Sequence, residues 1–310
     1  MAEDAMIKVR VPATSANLGA GFDSLGMALS LYNVITVKRA LPCGEFVSDV
    51  TGEGARELTD VKSNLVVKSY QMACEEWGIK NPSGFEMYSN NVIPLNRGLG
   101  SSATAVVAGA LIANALHKVG ASETDLLRTM TRVEGHPDNV APCYLGGMTV
   151  GCWDGDDLRY VRLPSLPTDM YVVVAVPDVK VKTADARKSL PDVVNFDDAV
   201  FNLGRAALTA AAWATGQWDM LSWGMDDRLH QQYRAKLFPG GDVIMDRVRN
   251  IPGCIGVAIS GSGPSVIALS RGKPRKVAET MCRTFTEHGV DSLFFVLEGN
   301  AGGAKIEVVL

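Results

Sequence analysis

Apolar and polar residues alternate over residues 6–11 (MIKVRV) and again over 32–39, the period-two pattern of half-buried strands, and a Gly/Asn-rich loop at 13–22 follows the first. Apolar positions at helical spacing in residues 64–77 predict a helix, and residues 85–93 predict a strand running toward a glycine-serine turn. The Ala-rich stretch that follows this turn and ends at Leu116 predicts a long helix. Residues 126–133 predict another, opened by Ser122 as N-cap of Ser122-Glu123-Thr124-Asp125 and stopped by Gly135 and Pro137. Residues 144–153 and 158–163 read as a hairpin around Asp154-Gly155-Asp156-Asp157. Pro164-Ser165-Leu166-Pro167 then marks a lobe boundary, dividing the chain into 1–165 and 166–310. Beyond it the pattern predicts strands at 171–176, 255–260, 265–269 and 292–297, the last being the final strand, and helices at 199–214 and 273–288. Strands and helices interleave in both halves, so the expected class is α/β or α+β layers in two lobes.

The turn inside residues 92–116 (VIPLNRGLGSSATAVVAGALIANAL) adds chemistry to this architecture. Gly98 and Gly100 lack the side chains that would keep a backbone from wrapping an anion, and Ser101 and Ser102 can cap the helix or offer hydroxyls. The first amides of the helix carry the positive end of its dipole, so the turn reads as a phosphate cradle; an ordinary capped helix after a glycine turn uses the same residues. No Walker A string occurs. Residues 98–103 fit the G-x-G-x-x-A form of the dinucleotide fingerprint, which raises an NAD oxidoreductase. The context argues against it: Pro94, Asn96 and Arg97 stand where a buried strand should enter, and Glu123 and Asp125 belong to a helix-opening box.

Composition narrows the class further. The 310 residues are 47% apolar and 21% charged with a net charge of −4, so small-molecule chemistry is favoured over nucleic-acid binding. Six cysteines without C-x-x-C spacing predict free thiols in a reducing cytoplasm rather than disulfides or zinc. The first residues, MAEDAM, are acidic where a signal peptide is basic, and the longest apolar run, 103–116, is too short for a membrane span.

Three segments, 11–23 (VPATSANLGAGFD), 94–104 (PLNRGLGSSAT) and 259–265 (ISGSGPS), resemble in order and separation the three signature motifs of the GHMP kinases. The resemblance covers essentially the whole chain. Within that superfamily the segments EGHPDNVAP (134–142), KTADAR (182–187) and YRAKLFP (233–239) are similar to the homoserine kinase family. It implies an α+β two-lobed fold, with an N-terminal lobe like the second domain of ribosomal protein S5 and a ferredoxin-like C-terminal lobe. The implied reaction takes ATP and L-homoserine, with Mg2+, to O-phospho-L-homoserine, in a cytoplasmic step of threonine biosynthesis and in a possible homodimer. Thr104 departs from the usual second Ala of the motif, and the link from Glu134 to His136 is shorter than in several relatives.

Residue by residue, the resemblance implies phosphate binding by Pro94, Arg97, Gly98, Leu99, Gly100, Ser101, Ser102, Ala103 and Thr104, and magnesium at Ser102 and Glu134. Asn64 falls near the adenine, although an Asn helix cap looks the same. Homoserine is a zwitterion, so its pocket needs a cation and an anion. Arg187 and Arg234 are expected at the carboxylate, where a fork of N–H donors suits two oxygens, and Asp23 at the ammonium. Asn17 would bond the hydroxyl or the amine, His136 and Asn139 would line the substrate side, Thr183 would approach the reacting hydroxyl, and Gly261 would bring its backbone close. Asn139 stands where some superfamily members carry a catalytic Asp. An amide cannot take a proton, so transfer is expected without a dedicated protein base, with Asn17, Asn139, Thr183 and Arg187 nearest the chemistry. The alternatives are another GHMP kinase, of mevalonate, heptose or shikimate type, whose substrate lacks the ammonium, and a non-catalytic sensor on the same fold.

Overall fold

The structure is a computed structural model describing residues 7–58, 60–299 and 301–308; the acidic first six residues, including the expected start of the first strand at Met6, lie outside these. In chain order the elements are β1 (Ile7–Ala16), β2 (Leu25–Cys43), β3 (Phe46–Gly52), α1 (Leu65–Glu76), β4 (Ser83–Asn91), α2 (Ser101–Leu116), α3 (Glu123–Glu134), α4 (Pro137–Leu145), β5 (Met148–Trp153) and β6 (Leu158–Leu163). The second half holds β7 (Met170–Pro177), α5 (Thr183–Lys188), α6 (Phe196–Thr215), α7 (Leu221–Gly224), α8 (Gln231–Arg234), α9 (Gly241–Arg249), β8 (Cys254–Ile259), β9 (Val266–Arg271), α10 (Pro274–Glu287), β10 (Ser292–Glu298) and β11 (Lys305–Val308).

The first sheet runs β11-β1-β2-β4-β3, with β5 added to the start of β2 and β6 to β5. β1 bends at a register shift between Pro12 and Ala13, just past the residues that β11 pairs, where a strand tolerates a missing donor. Its second half therefore turns toward the loop at 17–24. α2 is apolar on nearly every side because it is covered on nearly every side, by β1, α1, α3 and α4, and this burial fixes where its N-terminus sits.

The second sheet, β10-β7-β9-β8, is antiparallel throughout, and its sequence of β7, α9, β8, β9, α10, β10 is the ferredoxin-like arrangement. Alternation along β7 splits its side chains cleanly. Val172, Val174 and Val176 face a core shared with Met27, Leu29, Trp213 and Met225, whereas Val173 and Ala175 face Ile244, Met281 and Phe285 under α9 and α10. Each valine so buried stabilises the fold by about 1.5–3 kcal/mol, and the shared core holds the lobes together beneath a cleft.

Three expectations change. Ser122 caps α3 and Gly135 ends it at φ 95° as expected, but Pro137 is a start as well as a stop: it opens α4, where its missing N–H would have been unpaired anyway. Tyr144 and Leu145 are therefore helical, and the strand expected from 144 begins only at Met148. Second, the strand at 292–298 is not the final one. β11 pairs with β1, so the chain returns from the second sheet to the first, and a division at residue 165 assigns to the second unit a strand that belongs to the first sheet. Third, Gly100 rather than a serine precedes α2, at φ 67°, and no side chain caps that helix. Ser101 and Ser102 are thus free of the capping role.

Candidate active site

The three glycine-bearing segments, more than 240 residues apart at their extremes, are tied to one another. The Thr14 N–H donates to Leu99 O at 3.1 Å, the Gly261 N–H to Ala16 O at 3.2 Å, and Asn17 Nδ2 to Gly261 O at 3.0 Å. Ser260 Oγ reaches both Ser15 Oγ, at 2.9 Å, and Gly98 O, at 2.6 Å. Side chains could not fit at two of these positions. A Cβ on Gly98 would run into the Ser260 carbonyl and one on Gly100 into Thr14 Oγ1, and both glycines have positive φ, 73° and 67°.

The cleft above them encloses about 290 Å³, near the lower end of the range for small-molecule sites. At the α2 end it is lined by Pro94, Arg97, Gly98, Leu99, Gly100 and Ser101, followed by Ser102, Thr104 and Glu134. Ala103 is the exception among the expected phosphate residues: its side chain is fully buried in the core with Val106 and Val107, because it lies on the inner face of α2. Asn64 lines the far side while its Oδ1 accepts from the Val66 N–H at 3.0 Å, which makes it the N-cap of α1. Ser102 Oγ donates to Glu134 Oε2 at 2.9 Å. Burial raises the Glu134 carboxyl above its ordinary range, and the Ser102 hydrogen bond and the charge of His136 only partly offset this. Arg97 is paired with Asp178 at 2.6 Å.

Asn17, Asp23, His136 and Asn139 line the other end from the first lobe, facing Thr183, Arg187, Arg234 and Gly261 from the second. Arg187 grips Asp23 with both terminal nitrogens, at 2.7 and 3.0 Å, and that bond raises the guanidinium pKa further. Arg234 is almost fully buried, donates from Nη1 to Gly261 O at 2.8 Å, and is lowered to about 10 by burial and by the charge of Arg187. Asn139 accepts from Thr14 Oγ1 at 2.7 Å and donates to Asp138 at 3.3 Å. Thr183 Oγ1 lies 3.5 Å from Ser262 Oγ.

Several residues that shape this end carry little signal of their own in the sequence. Asp138 is buried and bonded to His136 Nδ1; burial alone would lower the imidazole, but that bond and the charges of Asp138, Glu134 and Asp23 push it up to about 9. His230, also buried, has Nε2 2.8 Å from Gly19 O and so holds the loop that carries Asn17 and Asp23. Asp227 anchors the approach to α8 by accepting the amides of Leu229, His230 and Gln231. The D-x-x-x-Q spacing around these residues has no motif, and only their clustering in space exposes them.

Family models for the GHMP kinase N-terminal domain and the GHMP kinase C-terminal region match residues 64–147 and 210–287. A homoserine kinase of Carboxydothermus hydrogenoformans is 42% identical over 287 residues, covering 93% of this chain and 92% of its own. The chain belongs to the homoserine kinase family. A second homoserine kinase, from Natranaerobius thermophilus, is 38% identical over 98% of this chain and 99% of its own. The crystal structure of a homoserine kinase from Cytophaga hutchinsonii is 32% identical and matches the fold with a TM-score of 0.84, covering 98% of each chain. The two family models bracket the cleft from its two sides: α2, Glu134 and Asn139 lie in the first matched region, and Arg234 and Gly261 in the second.

Proposed function

We propose that this chain phosphorylates the side-chain hydroxyl of L-homoserine with ATP, giving ADP and O-phospho-L-homoserine for threonine biosynthesis. The observation that carries the reading is the placement of an anion-cation pair, Asp23 and Arg187, across one cleft from the glycine turn and open N-terminus of α2. The first matches an ammonium beside a carboxylate; the second matches phosphates. In the transfer, the homoserine oxygen bonds to the γ-phosphorus as the bond to the β–γ bridging oxygen breaks, and the hydroxyl proton leaves to a phosphate oxygen or water. Asn139 supports a route without a protein base, since its oxygen is occupied by Thr14 and its nitrogen by Asp138. Its role is to position, as Thr183 does from the second lobe. Ser102 and Glu134 fit a hard cation: two adjacent oxygens, one on a carboxylate whose burial disfavours its charge. They would hold Mg2+, whose chemistry there is neutralisation of phosphate charge.

The cytoplasm is the proposed compartment, supported by cysteines that are all unbridged. No helix of the described residues is long and apolar enough to cross a membrane. The homodimer implied by the resemblance is checked by sedimentation velocity.

The test is coupled ADP release with magnesium-ATP against L-homoserine, D-homoserine, L-serine, mevalonate and galactose. Turnover with L-homoserine is expected, falling roughly 100-fold or more in Glu134→Gln and in Arg234→Ala, as for loss of a single charged contact at the transition state. Preference for a substrate without an ammonium would overturn the substrate assignment and leave the phosphate end intact. ATP binding with no turnover on any substrate would favour a sensor.

A further inference from the structure

Phe22 does not line the cleft, yet both guanidinium groups of the amino-acid end lie on its ring. The Arg187 guanidinium carbon is 5.5 Å from the ring centroid and that of Arg234 is 5.0 Å, both inside the reach of a cation–π contact. Two like charges so near one another repel, which shows in the lowered Arg234. Asp23 is ion-paired with Arg187; among the described residues Arg234 makes no ion pair, although the charges of Asp23, Asp138 and Asp227 act on it from further away, and its Nε has no hydrogen-bond partner. The direct contacts of its guanidinium are the Gly261 carbonyl and the negative face of Phe22. The ring is itself backed by the buried imidazole of His230 at 5.1 Å between centroids, and the same imidazole holds Gly19 three residues earlier. Its position is therefore set from behind, independently of any ligand.

We infer that Phe22 is a positioning residue for amino-acid recognition, an aromatic platform that gathers Arg187 and Arg234 into one carboxylate-binding fork. The inference rests on the reading of the site as one for an α-amino acid. It acts through the two arginines and touches neither the substrate nor the phosphate end. The consequence is specific: loss of the aromatic face weakens recognition of a substrate carboxylate and leaves the rest of the substrate alone.

The experiment compares L-homoserine with 3-aminopropan-1-ol, which has the same hydroxyl and ammonium and lacks the carboxylate, in the wild type, Phe22→Leu and Phe22→Tyr. For Phe22→Leu we expect a rise of roughly 10-fold in KM for L-homoserine, with kcat and the KM for ATP within about threefold, matching loss of about two cation–π contacts. The ratio of kcat/KM between the two substrates should shrink by the same factor, and Phe22→Tyr should restore it. Thermal melting of each variant reports folding separately. A ratio unchanged in Phe22→Leu, whether or not overall activity falls, would show that Phe22 only packs the loop and would overturn the inference while the wild-type turnover stands. A wild type that ignores L-homoserine would instead defeat the functional reading, and this inference with it.

Discussion

The two ends of the cleft are built on different principles. The proposed phosphate end is made largely of backbone, Gly98 and Gly100 at positive φ and an uncapped α2 within a few residues of one another, with the Ser102 hydroxyl and the Glu134 carboxylate beside them. The proposed amino-acid end is made of side chains drawn from both lobes, Asp23 and His136 from one and Arg187 and Arg234 from the other, 164 residues separating the two members of the Arg187–Asp23 pair. Backbone sites tolerate almost no added atom, whereas side-chain sites tolerate change one contact at a time. Mutations should therefore be all-or-nothing at the first end and graded at the second.

Gly100→Ala tests the first half of that statement and carries the largest expected effect. The new methyl meets Thr14 Oγ1, which is itself bonded to Asn139, and the left-handed backbone adds strain of its own. Together these should destabilise the protein by on the order of 2–4 kcal/mol, read as a lowered thermal midpoint. Displacement of the turn should also cut kcat/KM by roughly 100-fold. An alanine at Gly261, whose Cβ would meet only ordinary contacts to Gly98, should cost much less despite its own φ of 55°. Equal losses at the two glycines would erase the distinction between the ends.

At the amino-acid end the graded response extends to pH. His136 is raised to about 9 by Asp138, so it folds as an imidazolium, while in the unfolded chain it titrates near its ordinary value. A group raised on folding contributes stability in full below its unfolded pKa and loses it as pH rises through the folded one. The protein should thus lose stability between about pH 6.5 and 9, by on the order of 3 kcal/mol at most, in urea melts taken across that window. His136→Asn should flatten the curve there. A wild-type curve already flat over the same window would mean that the buried Asp138 is balanced by something other than this imidazolium.

The contrast also explains what could be read from the chain. A backbone site is local, so residues 98–102 announced it, and the helices with clear caps, α1 and α3, were placed to within a residue or two. α4 is hidden because Pro137 reads as a stop although it sits at the first helical position, where a helix tolerates proline; Pro142, inside the helix, frees the Asp138 carbonyl, against which Gly26 lies. β11 is hard to read because its alternation, Ile306 and Val308 between polar residues, spans only four exposed residues. At the other end, the family resemblance points to the arginines and Asp23; at the glycine turn it includes Ala103, whose methyl is in the core while its backbone lies in the first turn of α2. Asp138, beside Asn139, reads from the sequence as a structural partner for an Arg or His, and it bonds His136; Phe22 and His230 carry no such signal, since their partners are set by the packing of α8 against the loop rather than by spacing in the chain.

The smallest expected effect lies at the rim, where the two modes of construction meet. Arg97 lines the phosphate end from a loop of the first lobe but is paired with Asp178, which leads from β7 toward α5, and Lys180 of the same segment pairs with Glu57 at 2.9 Å. Asp178 is 74% exposed, so the pair should contribute only about 0–1 kcal/mol to stability. If Arg97 serves the phosphates, Asp178 competes with them for it. Asp178→Ala should then lower the KM for ATP, by about twofold at most, while leaving the KM for L-homoserine and the thermal midpoint nearly unchanged. A KM for ATP that rises instead would mean that Asp178 holds Arg97 in its phosphate-binding pose, and that even the backbone-built end depends on a side chain reaching across from the second lobe.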